Sequence, residues 1–479
     1  MFFRQVFDPK LAQYAYIVGC QRTGDAIVID PQRDIERYVE IAKTEGLTIK
    51  AVSETHIHAD FLSGAREFAE QYDIDLYLSD EGDADWKYFW AQDSKYNFKP
   101  LKNGDVFKIG NIQFEVVHAP GHTPEHICFL VTDHGGGADE PMGIISGDFV
   151  FVGDLGRPDL LESAAGVEGA QQVSAEQLYK SVQEFLTLPE YLQVWPGHGA
   201  GSACGKALGA VPESTVGYEK RFNVSIQAAL GNQAAFVDAI LDGQPEPPLY
   251  FGRMKRENKM GPRILGALPK PAKLQPEQIG SKAGQDNVVI VDMRLDRSAF
   301  MKQHVKESLY APLNSSFPTV TGSFINPAKT IYLIVEKAPD VTEAVNNLIR
   351  IGLDHIAGYI LASELGQISD LVTIEEITTS DLTEAHHTAN TQVLDVRRLE
   401  EFSQGHMPGS INIAHTRLLD RIDELSKDQT YLVHCQSGAR AAVATAMLQH
   451  NGFKAVYVNG HFAAWAQGNS DKVERSIAA

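Results

Sequence analysis

Residues 55–61 read THIHADF, directly after an apolar run, 49–53, that predicts a strand. His56 and His58, two positions apart at a strand end, lean to the same side. His122 in APGHTPEH, Asp148 in ISGDFVF and His198 in WPGHG follow, each in a Gly-rich stretch where backbone turns can aim a side chain into a common cleft. Imidazole and carboxylate groups collected this way are metal ligands. Phe61 stands directly after Asp60, and a phenyl ring has no lone pair for a metal.

A second chemistry is written in TYLVHCQSGARAAVATAML, where Cys435 ends a predicted strand and a short loop leads into a helix. Amides of that loop and the helix N-terminus would stabilise a thiolate and cradle an outer sulfur, and Arg440 adds positive charge. Four residues, QSGA, separate Cys435 from Arg440. Phosphatase loops of the pattern HCxxGxxR have five, so the smaller ring favours sulfur transfer. Of the other thiols, Cys204 in GHGAGSACGKALG follows His198 closely and is read as a group that accepts or relays sulfur. Cys20 is read as a turn residue and Cys128, in HICFLV, as core.

The elements that must position these groups fall into three modules. Residues 1–241 open with a hairpin, AYIVGCQRTGDAIVIDP, alternate strand-like and helical stretches, and end in a helical segment over about 212–241. Residues 242–278 form a Pro-rich basic connector whose composition resists regular structure, with Glu257 the lone acid between Arg253 and Lys273. It is read as a solvated linker, or as a basic rim that guides an anionic thiol. Residues 279–370 and 371–479 are copies of one repeat: VVIVDMRLDRSAFMKQHVKESLYAPLN echoes QVLDVRRLEEFSQGHMPGSINIAH. Each copy reads as a doubly wound α/β domain. Alignment puts Glu336 where the second copy has Cys435, and a carboxylate cannot carry sulfane sulfur.

The order HxHxD, H, D, H resembles the metallo-β-lactamase fold, and within it the persulfide dioxygenases. Both repeats resemble rhodanese domains, and the CxxGxR loop resembles thiosulfate-type rhodaneses. The whole chain thus resembles persulfide dioxygenase–sulfurtransferase fusions. This implies an αββα sandwich, an inactive rhodanese-like domain and a rhodanese domain. By the same resemblance His56, His122 and Asp148 hold one Fe(II), with His58, Asp60 and His198 orienting groups around it. Arg157 and Asp159 resemble a substrate-side loop whose guanidinium holds a carboxylate or phosphate. Asp395 and Arg397 match a DxR pair read as scaffold, while His118 and His126 are read as packing or hydrogen-bonding groups. The implied reaction oxidises a low-molecular-weight thiol persulfide with dioxygen to sulfite, and Cys435 then turns sulfite into thiosulfate. Two rivals stand beside it: a glyoxalase II-like thioester hydrolase fused to rhodanese, and a sulfur relay or sensor that consumes no oxygen.

The 479 residues hold 62 acidic and 42 basic side chains, a net charge of −20 that opposes nonspecific binding to nucleic acid or anionic membrane. Four widely spaced cysteines without a CxxC pair suggest neither a disulfide framework nor a thiolate zinc knot. The expected setting is cytoplasmic, because the chain lacks a signal-peptide pattern and a long apolar run. A homo-oligomer is expected, with the cysteine-free repeat as its assembly surface.

Overall fold

The computed structural model describes residues 1–163, 166, 169–382 and 390–475. The chain divides into two compact units, residues 1–268 with 349–352, and 269–348 with 353–479.

Two six-stranded sheets build the first unit. One runs in the order Phe2–Asp8, Gln13–Cys20, Asp25–Ile29, Thr48–Ser53, Asp75–Ser79 and Asn97–Leu101. The other runs Ser214–Thr215, Gln193–Pro196, Gly143–Gly147, Ile127–Asp133, Ile112–His118 and Val106–Ile109. The expected hairpin is present, with Tyr16 opposite Ile29 and Cys20 opposite Asp25. Tyr16, Val18, Ile27 and Ile29 of one sheet pack with Ile112, Phe114, Phe129 and Ile145 of the other. The outer face of the first sheet buries Tyr38 and Phe68 from helices Glu36–Thr44 and Ala65–Gln71. That of the second buries Leu178, Val182 and Phe185 from helix Ala170–Phe185. Central strands such as Gln13–Cys20, Ile127–Asp133 and Gly143–Gly147 are buried on both faces because each sheet is covered twice, which is the αββα sandwich.

Two details differ from the sequence reading. The helical stretch expected over 212–241 is three short helices, Val216–Phe222, Val224–Ala229 and Gln233–Leu241, because Asn223 and Asn232 accept from backbone amides and start new helices. The connector expected to resist regular structure contains helix Phe251–Met260, and residues up to 268 belong to the first unit. Phe251 and Met254 are buried there, an apolar face at helical spacing that the prolines on either side obscure.

Two parallel five-stranded sheets form the second unit. The first orders Ala272–Lys273, Ile356–Leu361, Thr330–Val335, Val288–Asp292 and Leu309–Tyr310. The second orders Glu376–Thr378, Lys454–Asn459, Thr430–His434, Thr391–Asp395 and Ile411–Asn412. Element for element these are the same topology, so the repeat seen in sequence is a repeat in structure. No helix among the described residues is long and apolar enough to cross a membrane.

Candidate metal centre and sulfur-carrying loop

Three of the singled-out side chains converge at the strand ends of the sandwich. His56 follows strand Thr48–Ser53, His122 sits between Ile112–His118 and Ile127–Asp133, and Asp148 directly follows Gly143–Gly147. One ligand atom from each lies within 4.8 Å of the other two, and all three are buried. Asp148 Oδ2 lies 3.6 Å from His122 Nε2 and 4.0 Å from His56 Nε2. His122 Nδ1 is held 3.0 Å from the Arg157 carbonyl, and Thr55 Oγ1 lies 3.0 Å from His56 Nδ1. Each ring's Nε2 is thereby left for the cleft. Neither Asp148 oxygen has a hydrogen-bond partner. A buried carboxylate without a donor is costly unless a cation completes it, so this donor set fits a metal.

Glycine is required here for space. A Cβ on Gly197 would lie 2.5 Å from Asp148 Oδ1. Burial pushes Asp148 up to about 6, and the imidazoles counter that only partly. Burial also drives His122 down to about 3 and His56 well below the usual histidine range, so both rings are neutral at neutral pH, the form that can offer a lone pair to a metal.

His58 points elsewhere. Its Nε2 lies 3.1 Å from Asp30 Oδ1, while Phe61 packs on its ring with centroids 4.4 Å apart. Burial lowers the imidazole, but Asp30 more than offsets this and holds it at about 9. Asp30 also accepts from the Thr55 amide and hydroxyl, so one carboxylate fixes the loop that carries both histidines.

Asp60, His198 and Cys204 form a second buried group, with ligand atoms within 4.8 Å of one another. His198 Nε2 lies 3.3 Å from Asp60 Oδ2 and 3.5 Å from Asp148 Oδ2, which places the two groups side by side. His198 Nδ1 lies 3.1 Å from the Ala12 carbonyl. Burial, then the charges of Asp148 and Asp60, pushes the Cys204 thiol well above its ordinary range. It is a protonated thiol at neutral pH.

Arg157 and Asp159, expected to face a substrate, face each other. Arg157 Nε and Nη2 donate to the two Asp159 oxygens at 2.8 and 2.7 Å, and Nη1 donates to the Ala203 carbonyl at 3.1 Å. Both side chains are buried. The physical reason is local: a carboxylate two residues away satisfies the fork bidentately. The pair braces the loops of His122 and Cys204, since the Arg157 amide also donates to the Cys204 carbonyl. His126 accepts from the Asp148 amide at 3.0 Å, and His118 Nε2 lies 2.8 Å from the Pro124 carbonyl, so both have hydrogen-bonding roles.

Sequence reasoning missed Asp30 and Asn258. Asp30 directly follows strand Asp25–Ile29 at φ 53°, and in the sequence it is only the end of the hairpin segment AYIVGCQRTGDAIVIDP. Asn258 lies in the connector. Its amide donates to the carbonyls of His58 and Phe61, and its Oδ1 accepts from the Ser63 amide.

In the second unit, Cys435 follows strand Thr430–His434, and helix Ala439–His450 begins after Gly438 at φ 87°. The thiol is buried, with Sγ 3.4 Å from the Ala441 amide. Arg440 also makes a two-pronged pair with Glu401, at 2.6 and 2.7 Å. Arg397 and Asp395 pair at 2.6 Å beneath Phe462, and the other repeat holds Arg294 on Asp292 at 2.7 Å in the same way. A pair present in both copies, with and without the cysteine, serves the scaffold. Glu336 caps a backbone amide, that of Leu295, at 3.1 Å.

Comparison with known proteins agrees with this division. Residues 8–198 match the metallo-beta-lactamase superfamily model and residues 378–468 the rhodanese-like domain model. A metallo-beta-lactamase structure from Staphylococcus aureus subsp. aureus COL is 40% identical, covers 75% of this chain and 99% of its own, and superposes with a TM-score of 0.67. A probable metallo-hydrolase of Bacillus subtilis is 32% identical over 36% of this chain and 79% of its own. The mitochondrial persulfide dioxygenase ETHE1 of Bos taurus is 28% identical over 41% of this chain and 67% of its own. The chain belongs to the metallo-beta-lactamase superfamily and carries a rhodanese-like domain C-terminal to that fold, an arrangement consistent with a persulfide dioxygenase–rhodanese fusion.

Proposed function

We propose that the protein is a non-haem iron persulfide dioxygenase coupled to a thiosulfate-forming sulfurtransferase. The observation that carries this reading is one chain holding a buried two-His, one-carboxylate set, with the non-ligating Phe61 directly after Asp60, and, separately, a cysteine loop of rhodanese type. His56, His122 and Asp148 would hold a single Fe(II), which when bound supplies the redox centre for reaction of a persulfide with dioxygen. The balanced reaction is RSSH + O2 + H2O → RSH + SO3²⁻ + 2H⁺. Around that centre Asp30 and Asn258 fix the histidine loop and the Arg157–Asp159 pair fixes the loop behind His122. His58, Asp60 and His198 orient the ligands and substrate, and Cys204, buried beside Asp60 and His198, accepts or relays sulfur only once its proton is removed.

The second step is nucleophilic transfer. The Cys435 thiolate attacks the outer sulfur of RSSH, the S–S bond breaks and the carrier leaves as RS⁻, which takes up a proton. Sulfite then attacks the outer sulfur on Cys435, giving S2O3²⁻ and the free thiolate. No external oxidant is needed in this step. The setting is cytoplasmic sulfide detoxification by a homo-oligomer, with glutathione, coenzyme A or bacillithiol among the carriers. The test is Cys435→Ser: oxygen uptake persists while the product shifts from thiosulfate to sulfite, and an unchanged thiosulfate yield removes the rhodanese domain from the reaction.

A second reading, a two-metal thioester hydrolase, is favoured by the group Asp60, His198 and Cys204, in which both Asp60 oxygens lack hydrogen-bond partners. Elemental analysis separates the two: one metal per chain supports the oxygenase, two support the hydrolase.

A further inference from the structure

The repeat that lacks a cysteine reaches the loop that has one. Arg297 opens helix Arg297–Lys302 of the first repeat, and its Nη2 donates to the Ser437 carbonyl and to Asn459 Oδ1, both at 3.0 Å. Ser437 lies inside the Cys435–Arg440 loop. Gly438 is packed so closely that a Cβ there would sit 3.3 Å from Arg297 Cζ. A polar bridge steadies this contact: Ser298 Oγ and Asn459 Nδ2 both donate to Glu376, at 3.0 and 2.7 Å.

Beside this contact lies a cavity of about 300 Å³ walled by both repeats. The first repeat supplies Arg297, Tyr310 and Ser315, and the second supplies His415 and Arg440. Leu295, Val320 and Val443 give it an apolar side, and no acidic residue lines it. Arg440 is neutralised by Glu401, whereas Arg297 has no carboxylate partner among the described residues. The cation that faces the cavity without a counter-charge therefore comes from the repeat that cannot carry sulfur. Ala439 and Arg440 line the cavity, and the Ala441 amide next to them lies 3.4 Å from Cys435 Sγ, so the site adjoins the cysteine loop.

A cavity at the small end of the range for organic ligands, more apolar than polar, with one guanidinium that no carboxylate pairs, suits an organic acid and exceeds the needs of a bare inorganic oxyanion. We propose that this cavity binds the organic thiol that brings sulfur to Cys435, with Arg297 pairing the carboxylate or phosphate of that carrier. The proposal rests on the reading of Cys435 as a sulfur carrier, and it gives the cysteine-less repeat a function: it completes the donor site of its sister.

The experiment is calorimetric titration of the full chain with glutathione and with coenzyme A, a carboxylate and a phosphate carrier, in wild type, Arg297→Met and Arg297→Lys. Binding of at least one thiol, weakened at least tenfold in Arg297→Met and partly restored in Arg297→Lys, is the expected result. Ser315→Trp, an exposed position away from the Cys435 loop, narrows the cavity and weakens binding in the same way, so a folding defect at Arg297 does not decide the matter. Equal affinity in wild type and both cavity variants, or binding of inorganic thiosulfate but of neither organic thiol, overturns the proposal. Mass analysis of Cys435 after glutathione persulfide treatment separates the two claims: Arg297-dependent thiol binding without an added sulfur atom on Cys435 supports the site and contradicts the sulfur-transfer reading.

Discussion

The Asn258 side-chain amide donates to the carbonyls of His58 and Phe61 at 2.8 and 2.7 Å, tying the connector helix to the loop that carries the histidines. Asn258 is buried, and all three contacts it makes are to backbone groups that would otherwise be unpaired. Position 258 is therefore part of the frame of the candidate metal centre, although it lies 200 residues from His58 in sequence.

Asn258→Ala leaves two buried carbonyls and one amide without partners, at a cost of about 1–3 kcal/mol for each group that water does not reach. The expected outcome is a lower urea midpoint for the first unit and metal affinity weaker by about 10–100-fold, as for other residues that orient ligands. Equilibrium dialysis with Fe(II) or Zn(II) reads the second effect directly.

Asp159→Asn tests the buried pair with Arg157. Burial raises the Asp159 carboxyl, but the guanidinium outweighs it and holds the folded-state value below the usual range. A depressed carboxylate contributes stability that is present above the unfolded value, about 3.9, and is lost as pH falls through the folded one. Breaking the pair should cost about 3–5 kcal/mol at neutral pH. The gap between wild type and variant then closes as the pH drops below about 4, measured by denaturant titration at several pH values.

The thiols should differ in reactivity. Burial raises both Cys128 and Cys204, the latter further through Asp148 and Asp60. Iodoacetamide at pH 7.5 should leave both unmodified in the native protein and label both after unfolding. Peptide mass mapping checks this, and rapid native labelling of Cys204 would contradict the closed, protonated thiol.

The legible part of the site was the part written in short motifs. His56, His122 and Asp148 come together as the order HxHxD, H, D predicts, because each sits just past a strand and the sandwich collects strand ends. The repeat was legible because DxR recurs at matching points, and Asp292–Arg294 and Asp395–Arg397 make the same pair. What escaped depends on partners far away in sequence. Arg157 looks like an anion receptor until Asp159 and the Ala203 carbonyl occupy it. Asn258 looks like linker because its prolines and charges mask a helix whose value lies in contacts with residues 58, 61 and 63. Asp30 is a carboxylate at a strand end, and only the fold brings Thr55 and His58 to it.

Asp148→Ala removes the one carboxylate shared by the His56 and His122 contacts. Bound iron should fall to below about a tenth of wild type, as expected for removal of a ligand rather than of a group that orients one. Cys435→Ser, whose thiol belongs to the other unit, retains its iron. Elemental analysis of the two variants side by side makes the comparison.

The most direct test of the central claim is oxygen consumption by the full chain, loaded anaerobically with Fe(II), on addition of glutathione persulfide or coenzyme A persulfide. The account predicts uptake of one dioxygen for each sulfite formed, with that sulfite appearing as thiosulfate while Cys435 is intact. Absence of uptake with both persulfides, in protein shown to hold one iron, would contradict it.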